Sequence, residues 1–192
     1  MRKLLVTGFD PFGGQSVNPA WEAVKALPEA IGDFVLCKLE IPTVFGAAAE
    51  AVLATASAFQ PDVILCVGQA GGRSAVTPER IAVNIRDGKI ADNAGFQPRG
   101  EQVIPDAPAA YFTTVPVISM AEAITAAGIP GQVSNSAGTF VCNDTLFSLL
   151  HHYADTAVRV GFIHVPYLPE QGTPNLPLAD IIRGLEAAIS VL

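Results

Sequence analysis

The chain has 192 residues, of which 50% are hydrophobic and only 15% are charged, and its formal net charge is -7. This acidic balance argues against a nucleic-acid partner, which would need clustered Lys and Arg, and no apolar run reaches the roughly 18 residues of a membrane span. The length suits one domain over residues 1–192. The charged fraction of 15% is low compared with about 25% in an average domain, so the chain has more apolar surface than usual. We expect association with further copies of the chain to cover some of it.

Strand and helix patterns alternate along the chain. Strands are predicted at 3–7, 34–41, 62–68, 81–85, 132–135 and 159–165. Helices are predicted to begin at Asn18-Pro19 and to cover 44–59, 119–127, 143–154 and 177–191. Residues 87–114, rich in Gly, Pro, Asn and Asp, are predicted to be irregular. The alternation indicates an α/β fold, a three-layer α/β/α sandwich around a twisted, mostly parallel sheet.

The start of the chain and its cysteines bear on the location of the protein. The sequence MRKLLVTGFDPF superficially resembles a signal peptide, but its apolar run ends at Gly8 and is too short for a signal core. Three cysteines, Cys37, Cys66 and Cys142, show no metal-binding spacing and leave one thiol outside any disulfide scheme. We therefore expect a reducing, cytoplasmic location.

One cysteine lies where a helix is predicted to begin. Cys142 follows the small-residue segment SNSAGTFV and precedes Asn143-Asp144-Thr145 and an apolar helical run. A helix N-terminus stabilises an anion, so this thiol is a candidate nucleophile with a pKa below the free value of about 8.5. The alternative is that it fills a gap as a small hydrophobic residue. Cys37 and Cys66 lie within apolar strands and are interpreted as packing.

Two further side chains are candidates for acid–base chemistry. His164 lies near the carboxyl end of the apolar strand GFIHV, where functional residues of parallel sheets gather, although a core histidine is the alternative. Glu79 either orients an imidazole, as the acid of a Cys-His-acid relay does, or is a solvated charge paired with Arg80. An imidazole is the natural partner of a thiol because it can accept a proton and return it to a leaving amine.

Two glycine-rich loops follow predicted strands. GFDPFGG lacks the spacing of a nucleotide-binding loop, and its Phe9 and Phe12 either sandwich a flat, uncharged ring or form a small core of the loop. GQAGGR is a candidate phosphate site through its backbone N–H groups and Arg73. No His, Cys or carboxylate groups recur at ligand spacing, so no metal site is predicted.

Four segments together resemble those of the pyroglutamyl peptidase type I family of cysteine peptidases, also called pyrrolidone-carboxylate peptidases. They are TGFDPFGG with NPAWE, VGQAGGRSAVTPERIAVN, VSNSAGTFVCN and GFIHVPYLPEQ, and they extend over nearly the whole chain. The resemblance implies hydrolysis of N-terminal pyroglutamate from peptides through a thioester, with no cofactor. It also implies a cytosolic homotetramer with an open α/β sandwich.

The resemblance also implies site residues. Cys142 matches the nucleophile of the family, His164 its general base and acid, and Glu79 the third member of the triad. The residues that match the pocket for the pyroglutamyl ring are Phe9, Phe12, Gln69, Phe140 and Val141. Two rival functions remain open on the residues alone. They are a phosphate-using transferase, such as a nucleoside phosphorylase, with the anion on GQAGGR, and a non-catalytic binding module in which Cys142 is packing.

Overall fold

The computed structural model describes all residues, 1–192, and contains ten β-strands and five α-helices. The strands are β1 Arg2–Phe9, β2 Ala30–Ile31, β3 Phe34–Ile41, β4 Val63–Gln69, β5 Thr77–Pro78, β6 Ile81–Val83, β7 Arg86–Asp87, β8 Arg99–Glu101, β9 Ala110–Phe112 and β10 Arg159–Val165. The helices are α1 Pro19–Ala26, α2 Ala47–Phe59, α3 Val117–Ala126, α4 Val141–His152 and α5 Leu178–Ile189. None of these helices has both the length and the apolar character that crossing a membrane requires.

A six-stranded sheet with the order β2-β3-β1-β4-β10-β5 forms the centre of the fold. The four inner strands are parallel, and the short strands β2 and β5 are antiparallel at the two edges. The mostly parallel sheet predicted from the sequence is therefore confirmed.

Helices cover both faces of this sheet, because alternate side chains of each inner strand point to opposite sides. Leu4 and Val6 of β1 pack with α1, α3 and α5, whereas Leu5 packs with α2 and α4. Ile64 and Cys66 of β4 face the α2–α4 side in the same way. Each fully buried aliphatic side chain contributes roughly 1.5 to 3 kcal/mol, so both layers hold the sheet.

The structure differs from the predicted elements in several bounds and in the short strands β2 and β5, which were not predicted, and three further differences concern whole segments or the start of α4. Residues 132–135 form no strand, and only isolated bridges, from Gly131 to Val76 and from Ser134 to Glu79, join this segment to its neighbours. The stretch 87–114 is not wholly irregular, because β8 pairs with β7 and β9 pairs with β6 in two small sheets. Helix α4 begins at Val141, two residues before the predicted start.

The connections create a crevice at the carboxyl ends of β1 and β4. From β1 the chain passes through α1 to β3 on one side, and from β3 it passes through α2 to β4 on the other side of β1. The loops that follow β1 and β4 therefore diverge, as at the switch points where open α/β sheets bind their ligands. These are the two glycine-rich loops, GFDPFGG and GQAGGR.

Candidate active site

Cys142 is the second residue of α4 and is half-buried. No side chain caps the helix, and the N–H of Cys142 has no acceptor within the protein. Its sulfur lies over Gly68 of β4, where an added Cβ would be 2.9 Å from Sγ. The nucleophile candidate therefore sits against the sheet at the amino end of a helix, with a free backbone donor beside it.

The two polar residues after Cys142 anchor the start of α4 and do not cap it. Asn143 exchanges two hydrogen bonds of 2.9 Å with the backbone of Val83. Asp144 is fully buried, accepts a hydrogen bond from the Gly46 N–H at 2.9 Å and pairs with Arg86 at 2.7 Å. Because both side chains bind neighbouring segments, the first turn of the helix is fixed in position.

His164 and Glu79 are brought together although they are far apart in sequence. His164 of β10 lies level with Gly68 of β4 and with Thr77 of β5. Its Nδ1–H donates to Glu79 Oε1 at 2.7 Å, which leaves Nε2 without a protein partner. Because Gly68 adjoins both Sγ of Cys142 and His164, the thiol, imidazole and carboxyl group form one cluster. No hydrogen bond joins the sulfur to the imidazole.

Glu79 is fully buried, so it is not a solvated charge paired with Arg80. Its Oε1 also accepts a hydrogen bond from Arg73 Nη1 at 2.6 Å. Burial acts to raise the pKa of Glu79, but hydrogen bonding with His164 and Ser134 and the charge of Arg73 lower it below its usual value. The carboxyl group is therefore ionised. The Arg73 guanidinium, occupied by this contact, is not free to bind phosphate in the way that GQAGGR suggested.

The thiol and the imidazole are both neutral at rest. Burial and the negative charge of Glu79 raise the pKa of the Cys142 thiol, while burial lowers the pKa of His164 against the raising effect of Glu79. The expected low pKa of Cys142 is therefore wrong for this state. A helix N-terminus stabilises a thiolate by about 0.3 to 1 kcal/mol, which corresponds to less than one pKa unit, since one unit is roughly 1.4 kcal/mol. The effect of burial on the pKa of Cys142 is therefore the larger one.

A cavity of about 460 Å³ opens above this cluster. Its walls combine aromatic, small and polar residues: Phe9, Phe12, Asn18, Thr43, Gln69, Ala70, Gly71, Arg73, Ser136, Ala137, Gly138, Phe140, Cys142 and His164. All the predicted site residues except Glu79 and Val141 are among them. Glu79 reaches the site through its hydrogen bond with His164, and the Val141 side chain is fully buried in the core and does not line the cavity.

The loop GFDPFGG is held by its own aspartate. The Asp10 carboxylate accepts hydrogen bonds from the Thr43 N–H at 2.7 Å and from Asn93 Nδ2 at 3.1 Å. The Asp10 carbonyl accepts from Asn18 Nδ2 at 3.0 Å and from the Thr43 hydroxyl at 3.1 Å. These bonds fix the loop whose Phe12 lies 6.1 Å, ring centroid to centroid, from Phe140. Phe12 therefore faces the cavity from a fixed loop, whereas Phe9 reaches its wall from the end of β1 and is otherwise buried in the core.

The side chain of Gln69 is bound within the protein. Its Oε1 accepts a hydrogen bond from Gln171 Nε2 at 3.1 Å, and Gln171 Oε1 accepts from the Leu168 N–H at 2.9 Å. Gln69 ends β4 at the rim of the cavity. The bond fixes the peptide segment there, which suits a role for backbone groups of Gln69.

Sequence reasoning missed Arg73 as a partner of Glu79 and missed Thr43 and Asn18 as wall residues. Arg73 was visible only as a cation in a glycine-rich loop, and no local pattern pointed to a carboxylate six residues later. Asn18 lies at a predicted helix start, and in the structure it is the N-cap of α1, since its Oδ1 accepts a hydrogen bond from the Ala20 N–H. No group of three or more His, Cys, Asp or Glu side chains is arranged to hold a metal ion.

Comparisons with known proteins agree on one family. The model of the pyroglutamyl peptidase family matches residues 2–192. The chain is 55% identical to the pyrrolidone-carboxylate peptidase of Levilactobacillus brevis, over 99% of this chain and 97% of that protein. It is 48% identical to that of Clostridium botulinum, over 97% and 91%. The crystal structure of pyroglutamyl peptidase I from Bacillus amyloliquefaciens superposes with a TM-score of 0.96 at 44% identity, covering 100% of this chain and 96% of that one.

Proposed function

The chain belongs to the pyroglutamyl peptidase family of cysteine peptidases, and we propose from that membership and from the site geometry how its residues remove N-terminal pyroglutamate. Cys142 is the nucleophile, His164 the general base and acid, and Glu79 the residue that orients the imidazole. The observation that carries the proposal is the single cluster formed by the Cys142 thiol, the His164 imidazole and the ionised Glu79 at the wall of an aromatic cavity.

The first step is attack on the carbonyl that joins pyroglutamate to the next residue. Because thiol and imidazole are neutral at rest, Nε2 of His164 takes the thiol proton as the Sγ–C bond forms. The imidazole becomes cationic beside Glu79, whose Oε1 already holds Nδ1–H at 2.7 Å. The carboxylate therefore stabilises a charge that develops only during the reaction.

The negative charge on the attacked oxygen needs hydrogen-bond donors. The N–H of Cys142 has no acceptor within the protein and belongs to the first turn of α4. Backbone donors of this kind stabilise tetrahedral intermediates without reorganisation, and one such donor is worth about 10²- to 10³-fold in kcat. We assign this N–H as one oxyanion donor.

Collapse of the intermediate completes the cycle. His164 gives its proton to the departing amine as the C–N bond breaks, which leaves a pyroglutamyl thioester on Cys142. Water then attacks the thioester carbonyl and loses a proton to His164. The C–S bond breaks, the sulfur recovers the proton, and free pyroglutamate leaves. This sequence uses no cofactor.

The cavity supports recognition of a flat, neutral lactam ring. Phe9, Phe12 and Phe140 provide apolar walls, and Gln69 lies at the rim with its side chain bound to Gln171. Backbone groups near Gln69 would pair with the lactam edge. A charged N-terminal amine in the same place would be desolvated against the phenylalanines at a cost of several kcal/mol, so the pocket favours the blocked N-terminus of a pyroglutamyl peptide.

We further propose a homotetramer. The low charged fraction supports self-association, and so do several large apolar side chains that are exposed in the isolated chain, Ile85, Ile90, Phe96, Phe112 and Ile118. Light scattering at micromolar concentration tests this proposal. A single species of 20.0 kDa would contradict it.

Two expectations about organisation complete the proposal. Residues 1–192 are treated as one catalytic domain, because the site draws on β1, β4, β10 and α4 of a single sheet and its helices. A cytoplasmic location suits a nucleophilic thiol that must stay reduced. Fractionation of cells followed by activity measurement would contradict that location if the activity were found outside the cytoplasm.

Release of pyroglutamate from a blocked peptide tests the function. We expect wild type and the matched control Cys66→Ala to release pyroglutamate at similar rates and Cys142→Ala to release almost none, in buffers with and without phosphate. Equal loss in both cysteine variants would indicate misfolding. Activity that requires phosphate would favour a transferase, and the absence of release by wild type would refute the proposed function.

A further inference from the structure

The guanidinium of Arg73 joins three parts of the site. Nη1 donates to Glu79 Oε1 and to Thr77 Oγ1, both at 2.6 Å, and Nη2 donates to the Ser136 carbonyl at 2.9 Å. Thr77 pairs with His164 across the β5–β10 ladder. Ser136 belongs to the small-residue segment before α4 that lines the cavity. One side chain therefore connects the carboxylate, the strand opposite the imidazole and the wall of the pocket.

Glu79 needs a permanent positive charge near it. Its side chain is 0% exposed, and Oε2 is buried without a hydrogen-bond partner. The Ser134 hydroxyl lies beside this carboxyl group and helps to lower the pKa of Glu79, but it donates to the Ser136 carbonyl at 3.2 Å and carries no charge. Because an uncompensated buried carboxylate would take up a proton, the anion depends on cationic neighbours, and His164 is neutral before attack.

Arg73 is the one neighbour that stays charged throughout the cycle. A guanidinium does not lose its proton at any working pH, and its side chain, 28% exposed, is sheltered enough to act at short range. It shares Oε1 with His164 Nδ1. The shared oxygen fixes the carboxylate in the orientation that accepts the imidazole N–H.

We propose that Arg73 is a positioning residue for catalysis, which holds Glu79 as an oriented anion so that His164 presents Nε2 as a base to Cys142. This inference rests on the proposed function. It assigns to the glycine-rich loop after β4 a role in the acid–base machinery, where the loop alone suggested only anion binding. Arg73 acts through Glu79 and breaks or forms no bond itself.

The pH profile distinguishes this role from a structural one. The charged group that acts on the Glu79–His164 pair is Arg73, and the titratable group beside the pair is the Cys142 thiol, which itself lies near Cys66. The two thiols stay neutral below pH 8, because burial raises the pKa of Cys66 to about 12 and acts the same way on Cys142. The positive charge of Arg73 opposes the binding of a proton by the Glu79–His164 pair. Without the guanidinium, the pKa of the pair therefore rises, whether the proton is bound by Glu79 or by His164.

The experiment measures kcat/KM for a pyroglutamyl amide from pH 5 to 9. The neutral variants Arg73→Met and Arg73→Gln are compared with Arg73→Lys, which keeps the charge. Arg80→Met is the matched control, because Arg80 makes no ion pair and does not act on the pair. In the neutral variants, we expect the acid limb of kcat/KM to move up by about 1 to 2 pH units. In Arg73→Lys and Arg80→Met, we expect it to move by less than about 0.5 pH units.

A second readout does not depend on turnover. NMR titration of the His164 ring in a Cys142→Ala background, with and without Arg73→Gln, should show the same upward shift. The inference would be overturned if a neutral variant that folds kept the acid limb of wild type and lost activity equally at every pH. That result would indicate a structural role for Arg73. If wild type fails to cleave the amide, the proposed function fails instead, and the NMR titration alone decides the role of Arg73.

Discussion

Replacing Gly68 by alanine tests how closely the nucleophile is packed against the sheet. A Cβ at this position would lie 2.9 Å from Cys142 Sγ and 2.8 Å from Cζ of Phe162. Non-bonded heavy atoms prefer about 3.5 to 4.0 Å, so the sulfur has to retreat by roughly 0.6 to 1 Å. The ring of Phe162 is tilted against the His164 ring at 4.7 Å between centroids, so its displacement also disturbs the base.

The expected loss is kinetic more than structural. A misplacement of about 1 Å in a reacting group can cost about 10²-fold in rate, and overpacking typically costs about 1 to 3 kcal/mol in stability. We therefore expect Gly68→Ala to fold, to melt somewhat earlier and to lose about 10²-fold in kcat. Hydrolysis of a chromogenic pyroglutamyl amide gives kcat, and thermal unfolding gives the stability.

Gly184→Ala provides the matched control. This glycine lies in α5, where a Cβ would be 3.4 Å from the nearest atom, in Val76, and the change favours the helix by up to about 1 kcal/mol. We expect turnover close to wild type. If Gly68→Ala also keeps kcat within threefold of wild type while folded, the close contact between Gly68 and the sulfur does not govern the reaction, and the reasoning is refuted.

Three further outcomes are expected. Cys142→Ala and His164→Ala should each remove nearly all turnover. Glu79→Gln should lower kcat by about 10- to 10³-fold, because an orienting group is only part of the relay. Equal losses in the three variants would contradict this order. The acid limb of kcat/KM should lie below the usual histidine value of about 6.5, since burial lowers the pKa of His164 and the neutral imidazole is the active form; a limb above 7 would contradict the neutral resting pair. A prolyl amide should be cleaved at least about 10³-fold less well than the pyroglutamyl amide, and cleavage within tenfold would refute the pocket assignment.

The sequence was sufficient for the main architecture because its inner strands are long apolar runs. Buried parallel strands such as DVILCVG and RVGFIHV have a pattern that local reading recognises. The segment 132–135 was misread as a strand because its composition resembles one, while only two isolated bridges form there. The pairing of β7 with β8 depends on contacts between distant residues, which no local pattern records.

The candidate site residues could be predicted from their residue types and motifs. The features that depend on contacts between distant residues could not be predicted. Asn143 was expected to begin α4, but its amide instead binds the backbone of Val83, so the helix starts at Val141. The low pKa expected for Cys142 rests on the helix N-terminus and on a histidine expected nearby, whereas the burial that opposes it appears only in three dimensions. The same holds for the bond between Arg73 and Glu79.

Trapping the acyl-enzyme tests the central claim most directly. A pyroglutamyl ester, which acylates faster than an amide, is mixed with the protein, quenched in acid and digested, and the peptides are analysed by mass spectrometry. We expect a pyroglutamyl group on the peptide that contains Cys142 and its disappearance as free pyroglutamate is released. A turning-over enzyme that carries no adduct there, or carries it on Cys37 or Cys66, would contradict the assignment of Cys142 as the nucleophile.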